Sequence, residues 1–243
     1  MHPRLSLSCI FLLVIFQNSF GQGGSVNSVG ISSEYRMDDN TLIYNRETGQ
    51  RITMTEYVRL TREKPKLYHL VPQINEYGKP GSYILRKRTQ EELTEDRVIY
   101  QNNDFGKPLV GKPLPPFVME GADGKTYRSE DLKGSYILLS FWLRLRKPFF
   151  SDTQTKDLTR LVEHAQTKGI QLLSLGTTPD SKEECMVAMA TYPLGMIPVP
   201  GSYEFMKRYG MPIGSYLLVG PDGNLLAIVE KDSPLGLERY LVK

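Results

Sequence analysis

The chain has 243 residues, 40% of them hydrophobic, with 30 Lys+Arg against 27 Asp+Glu. That apolar content excludes a wholly disordered polymer, and a formal charge of +3 is too small and dispersed to point to nucleic acid. Two cysteines, Cys9 and Cys185, exclude a disulfide-rich scaffold and a multi-cysteine zinc site.

In chain order, residues 1–21 read as an export signal. Arg4 supplies a short basic start, Leu5 to Phe16 is mostly apolar, and the small residues Ser19 and Gly21 precede a cleavage point at Gln22. The run is shorter than the ~20 residues that span a bilayer, so no membrane span is expected after cleavage. The expected address is exported, either periplasmic or secreted, with Cys185 as the one remaining thiol. Residues 22–33 are a small-residue linker. Residues 34–107 carry modest signals: a strand over Thr41–Tyr44, a Thr53/Glu56 capping box opening a helix that Pro65 ends, a strand over Ser82–Leu85, and a short helix over Thr89–Glu95. With few large apolar residues, this α+β extension is expected to pack on the domain that follows.

Residues 108–243 are more regular. Gly121-Ala122-Asp123-Gly124 and Pro221-Asp222-Gly223 each sit between strand-like runs and predict hairpins. Ser129 is expected to cap the turn that follows the first hairpin. Tyr136 to Trp142 is a continuous apolar run, the pattern of a strand covered on both faces. Leu158, Leu161, Val162 and Ala165 trace one helix face between about Ser151 and Lys168, with Ser151 or Asp152 as N-cap. A second buried strand over Ile170–Leu175, a Ser181/Glu184 capping box starting a helix to about Thr191, a short helix over Ser202–Tyr209 and a terminal helix over Leu235–Val242 complete the pattern. Strands joined by helices predict an α/β fold, with a central mixed sheet flanked by helices.

Five stretches carry a resemblance: Val110 to Phe117 (VGKPLPPF), Asp123-Gly124-Lys125, Asp131 to Gly134 (DLKG), Leu138 to Trp142 (LLSFW) and Gly220 to Gly223 (GPDG). Together they resemble the thioredoxin-like redoxins, which include peroxiredoxins of the alkyl hydroperoxide reductase type and exported TlpA-type thiol:disulfide reductases. The resemblance implies a thioredoxin-like fold over 108–243. It also implies a Cys-x-x-Cys pair, or one attacking cysteine, in the loop after Phe141-Trp142, where a helix N-terminus lowers a thiol pKa. Aligned on Phe141-Trp142, the two cysteine positions fall on Arg146 and Phe149, and Leu143 to Asp152 contains no cysteine. An arginine cannot attack a disulfide or a peroxide. The family's cis-proline is expected near Gly214. Pro212 either supplies it through a small insertion or lies trans in an ordinary turn.

What remains are binding candidates. Arg144, Arg146 and Lys147 occupy the place of the ancestral thiolate and are candidates for holding a phosphate, sulfate or carboxylate, or an acidic partner. Trp142, Phe149, Phe150 and Pro212 could line a peptide groove; core packing is the reading favoured for Phe149, and Phe150 could belong to an exposed patch. Cys185, on a helix remote from the tip, is the weak catalytic alternative: an oxidoreductase or antioxidant working through one thiol. Its competing role is that of a small buried hydrophobe. His69 and His164 show no ligand spacing, so no metal and no cofactor is expected. The leading expectation is a redoxin-fold protein without thiol turnover that binds an exported protein, a peptide or a small anion.

Overall fold

The computed structural model describes residues 37–97, 106–230 and 233–242, all within one compact unit. The expected signal and linker, residues 1–33, lie outside the described residues. The N-terminal part runs β1 (Ile43–Asn45), β2 (Arg51–Ile52), α1 (Met54–Glu63), β3 (Tyr68–Ile74), β4 (Pro80–Lys87) and α2 (Gln90–Thr94). Its four strands form one sheet in the order β2-β1-β4-β3. Then come the hairpin β5 (Val118–Glu120) and β6 (Thr126–Arg128), β7 (Tyr136–Phe141), α3 (Asp152–Thr167), β8 (Leu172–Thr177), α4 (Lys182–Thr191), β9 (Ile197–Val199), α5 (Glu204–Tyr209), β10 (Ser215–Val219) and β11 (Leu225–Glu230). A second sheet has the order β11-β10-β7-β8-β9, with β7, β8 and β9 parallel and β10 antiparallel to both neighbours. This is the mixed thioredoxin-like sheet. Among the described residues no helix is long and apolar enough to cross a membrane.

The two faces of β7 explain its unbroken apolar sequence, because all six of its residues are buried. Leu138 joins Leu158, Leu161 and Ala165 of α3 with Leu237 and Leu241 on one side. Ile137, Leu139 and Phe141 join Phe117, Phe205 and Tyr209 on the other. A central strand of a sheet covered on both faces has no solvent face, so period-2 alternation disappears and only continuous hydrophobicity remains. The capping boxes at Ser151/Gln154 and Ser181/Glu184 are both closed, which places the starts of α3 and α4.

Several local expectations change. Three strands are absent from the sequence reading, the two-residue β2 together with β3 and β9; β3 and β9 contain Pro72 and Pro198, which argue against a strand by propensity. Both are terminal strands of their sheets, where the missing N–H faces away from the ladder. At the start of α1, Thr53 Oγ1 accepts from the Glu56 N–H, but Glu56 does not reach back; its carboxylate takes Arg59 at 2.7 and 2.9 Å. Ser129 does not cap its turn: its hydroxyl accepts from the Phe117 N–H, tying the end of the hairpin to its start. The terminal helix is 3₁₀, over Pro234–Tyr240.

The N-terminal sheet docks through α5. Arg208 donates to the carbonyls of Ile74 and Pro116, and the Val118 N–H donates to the Glu76 carbonyl at 2.7 Å. The 75–79 turn lies so close to Phe205 that a Cβ on Gly78 (φ 70°) would sit 2.6 Å from its ring. Glycine is required there twice over, by the positive φ and by the contact. Inside this part, Arg86 and Glu92 form a bidentate pair at 2.7 Å with both side chains almost fully buried.

Candidate functional site

The tip at the carboxyl end of β7 is the loop from Trp142 to Ser151, leading into α3. Trp142 turns inward. Its Nε1–H donates to Ser140 Oγ at 2.8 Å, and its ring meets Tyr216 and Phe150 edge-on at 6.3 and 6.4 Å. Phe150 continues the series onto Tyr192 at 5.0 Å. Trp142 and Phe150 are 3% and 4% exposed, so neither lines an open groove. The expected roles of the two phenylalanines are exchanged: Phe150 fills the core and Phe149 is 45% exposed. The loop turns outward at Arg146-Lys147-Pro148-Phe149, and the following Ser151 N-cap fixes the start of α3, so the residue next to the cap is the one carried inward.

The three cations do not converge. The Arg144 guanidinium donates to Asp180 Oδ1 at 2.8 Å and lies 3.9 Å from Glu184. The Asp180 hydrogen bond holds its pKa above the ordinary arginine value. Lys147 pairs with Asp152 at 2.8 Å; this contact raises the lysine pKa and lowers that of the aspartate. Arg146 is exposed and lies 6.0 Å over the Phe149 ring. Ser151 Oγ accepts from the Gln154 N–H while Gln154 Oε1 accepts from the Ser151 N–H, so the capping box already takes two of the N–H groups at the helix start. An anion seat built by Arg144, Arg146 and Lys147 together is therefore not what the geometry presents.

Asp180 is the residue sequence reasoning missed. It is 3% exposed; one carboxylate oxygen takes Arg144 and the other takes the Leu145 N–H at 2.6 Å. It clamps the tip loop from a position 35 residues away in the chain. Next to the Ser181 N-cap it reads in sequence as one more polar helix-start residue, so nothing local could reveal the clamp.

Cys185 is fully buried in α4, packed in the core cluster that contains Leu145 and Trp142. Burial, then the nearby Asp180 and Glu184 carboxylates, push its thiol up to about 12. A thiol that keeps its proton is neither a nucleophile nor a metal ligand. Pro212 follows a trans bond, since the one cis peptide among the described residues is Lys147–Pro148. At the position where the family's proline was expected, Gly214 (φ 80°) donates its N–H to the Phe141 carbonyl at 2.8 Å. A proline there would lack that donor. No cluster of metal-ligating side chains occurs among the described residues.

Beside the tip lies a groove of about 330 Å³ between the loop and α4, lined by Leu145, Arg146, Glu183, Val187, Ala188 and Tyr192 among others. The outer surface of α4 is unusually apolar, with Met186, Val187 and Met189 exposed by 56, 66 and 41%. A surface helix normally keeps such residues on its inner stripe.

The chain is similar to several known proteins. The model of the AhpC/TSA family matches residues 110–226, just under half of the chain. The thiol-disulfide oxidoreductase ResA of Bacillus thuringiensis (strain Al Hakam) is 25% identical over 147 residues, covering 58% of this chain and 81% of the relative. ResA of Bacillus cereus (strain ATCC 10987) is 26% identical over 144 residues, covering 56% and 79%. Among solved structures, a thiol-disulfide oxidoreductase from Bacteroides fragilis shares 23% identity with a TM-score of 0.45, covering 54% of this chain and 100% of that one. BsSco, a member of the Sco family of cytochrome c oxidase assembly proteins, shares 21% identity with a TM-score of 0.45, covering 56% and 92%. Residues 110–226 thus match the AhpC/TSA family model and are similar to thioredoxin-like redoxins, with arginine and phenylalanine standing where the aligned cysteines are expected.

Proposed function

We propose that the protein is exported and serves as a non-catalytic redoxin-fold binding protein, using the surface beside its tip to recognise a segment of a partner protein. The observation that carries this reading is the state of its sulfur. The tip presents Arg146 and Phe149, and Cys185, the one described thiol, is fully buried with its pKa raised to about 12. The relatives named thiol-disulfide oxidoreductase supply the scaffold for comparison; electron transfer needs an accessible thiolate, which this surface lacks. A binding role is supported by the groove and by the exposed apolar side chains of α4 and Phe149, because a patch of this kind on a soluble surface marks an interaction site. Export rests on the character of residues 1–21.

Insulin reduction and peroxide consumption test the reading, each run with the Cys185→Ser variant as control. The expected result is no cysteine-dependent turnover in either assay. Turnover at a thiol reductase's rate that disappears in the variant would overturn it.

A further inference from the structure

We infer that the groove between the tip loop and α4 selects a partner segment in which one apolar side chain is flanked by one acidic and one basic residue. The inference rests on the binding role proposed above and specifies its ligand. The floor is apolar: Leu145 and Ala188 are buried beneath it, and Val187 and Tyr192 border it. Its volume of about 330 Å³ lies at the small end for ligand sites, enough for one or two side chains of a bound chain. The exposed thioethers of Met186 and Met189 extend the apolar surface next to it, and methionine adapts its shape to what it meets.

The charges around the groove divide into those that face Arg144 and those that form no ion pair. Asp180 is engaged by Arg144 and by the Leu145 N–H. Glu184 is engaged by the Ser181 N–H at 2.9 Å, with Arg144 3.9 Å away. Arg146 on the loop wall lies over the Phe149 ring and Glu183 on the α4 wall takes hydrogen bonds from Ser181 and its own N–H, but among the described residues no ion pair neutralises either charge. Both are exposed side chains lining the same groove. An occupant that displaces water from this space without charges of its own leaves a guanidinium and a carboxylate unmatched, which weakens binding. An occupant of a single sign matches one and repels the other. Only an occupant carrying both signs around its apolar residue satisfies the two walls, and a peptide can do so in either chain direction.

Four capped pentapeptides with central leucine test this, with flanking residues Asp/Lys, Asp/Glu, Lys/Arg or Asn/Gln. They are titrated into the full-length protein at low salt and followed by ¹H–¹⁵N chemical shifts. The Asp/Lys peptide is expected to bind tightest, by about 2- to 5-fold for each matched exposed charge. Arg146→Glu is expected to move the preference to the Lys/Arg peptide, and Glu183→Lys to the Asp/Glu peptide. Thr191→Trp, at an exposed position lining the groove, is expected to weaken all four. If all four peptides bind equally and Thr191→Trp removes that binding, the groove is a docking site but the charge selection is wrong. If none binds, both the selection and the binding role fall.

Discussion

Cys185 shows how burial, reinforced by two nearby carboxylates, retires a reactive group. Its thiol keeps its proton in the folded chain up to about pH 12, whereas an unfolded cysteine loses it near about 8.5. Between those values the unfolded state binds fewer protons than the folded one, so stability falls as pH rises through that window. Tyr127 and Tyr216, both pushed up to about 12 chiefly by burial, act in the same direction above the ordinary tyrosine range. We expect a denaturation midpoint that declines from pH 8.5 upward, and a shallower decline in Cys185→Ala. That variant also loses about 1 kcal/mol at neutral pH from the deleted sulfur. An unchanged alkaline slope would show that the thiol is not held protonated. At the same scale, Asp180→Ala leaves the Leu145 N–H and Arg144 without their acceptor. Because Arg144 is 25% exposed and water reaches it, the expected cost is about 2–3 kcal/mol by urea denaturation, below that of a sealed ion pair.

Among the elements, α2 and β4 depend on one sealed contact. Arg86 and Glu92 meet in a bidentate pair, with Glu92 Oε2 also accepting the Thr89 N–H that closes the α2 capping box. Removing one partner strands the other in a dry interior, so Glu92→Ala is expected to destabilise the chain by about 3–5 kcal/mol. Replacing both, as Arg86→Met/Glu92→Leu, is expected to cost much less than either single change, because no charge is left buried. Thermal denaturation of the three variants checks the order; equal losses in single and double variants would refute the electrostatic account. The sequence marked α2 as a short helix over Thr89–Glu95, from local residues alone. It had no means of marking Arg86 as interior, since a basic residue in the run Arg86-Lys87-Arg88 reads by default as a solvated strand end. The edge strands β3 and β9 were hidden for a related reason: their prolines oppose strand propensity, and only a place at a sheet margin makes them harmless.

At the scale of the molecule, the thioredoxin-like sheet is present, while the tip lacks the two expected sulfur atoms and no cis-proline stands at Pro212 or Gly214. The Phe149 N–H donates to the Arg146 carbonyl at 2.9 Å, so the two positions close a turn. Such a turn brings its end Cα atoms within about 7 Å, the reach of a disulfide. Arg146→Cys/Phe149→Cys is therefore expected to oxidise to an intramolecular bond, seen as the loss of two hydrogens in intact mass. Its reduced form should reduce insulin measurably faster than the parent chain. Failure to form the bond would mean that the tip has drifted in geometry as well as in chemistry.

By itself the sequence determined the order of the redoxin domain's elements apart from the edge strand β9, a helix start at Ser151 or Asp152 and another at Ser181, the hairpin turns and the lack of cysteine at the tip. Each of these depends on residues within a few positions of one another. Tertiary structure alone decided that Phe150 and not Phe149 enters the core, that Arg144 is claimed by Asp180, and that Trp142 points at Ser140 and away from a groove. Those outcomes depend on which side chains the packed sheet and helices bring together from distant stretches, and on which of them it shields from water. Neither has a signature in local spacing.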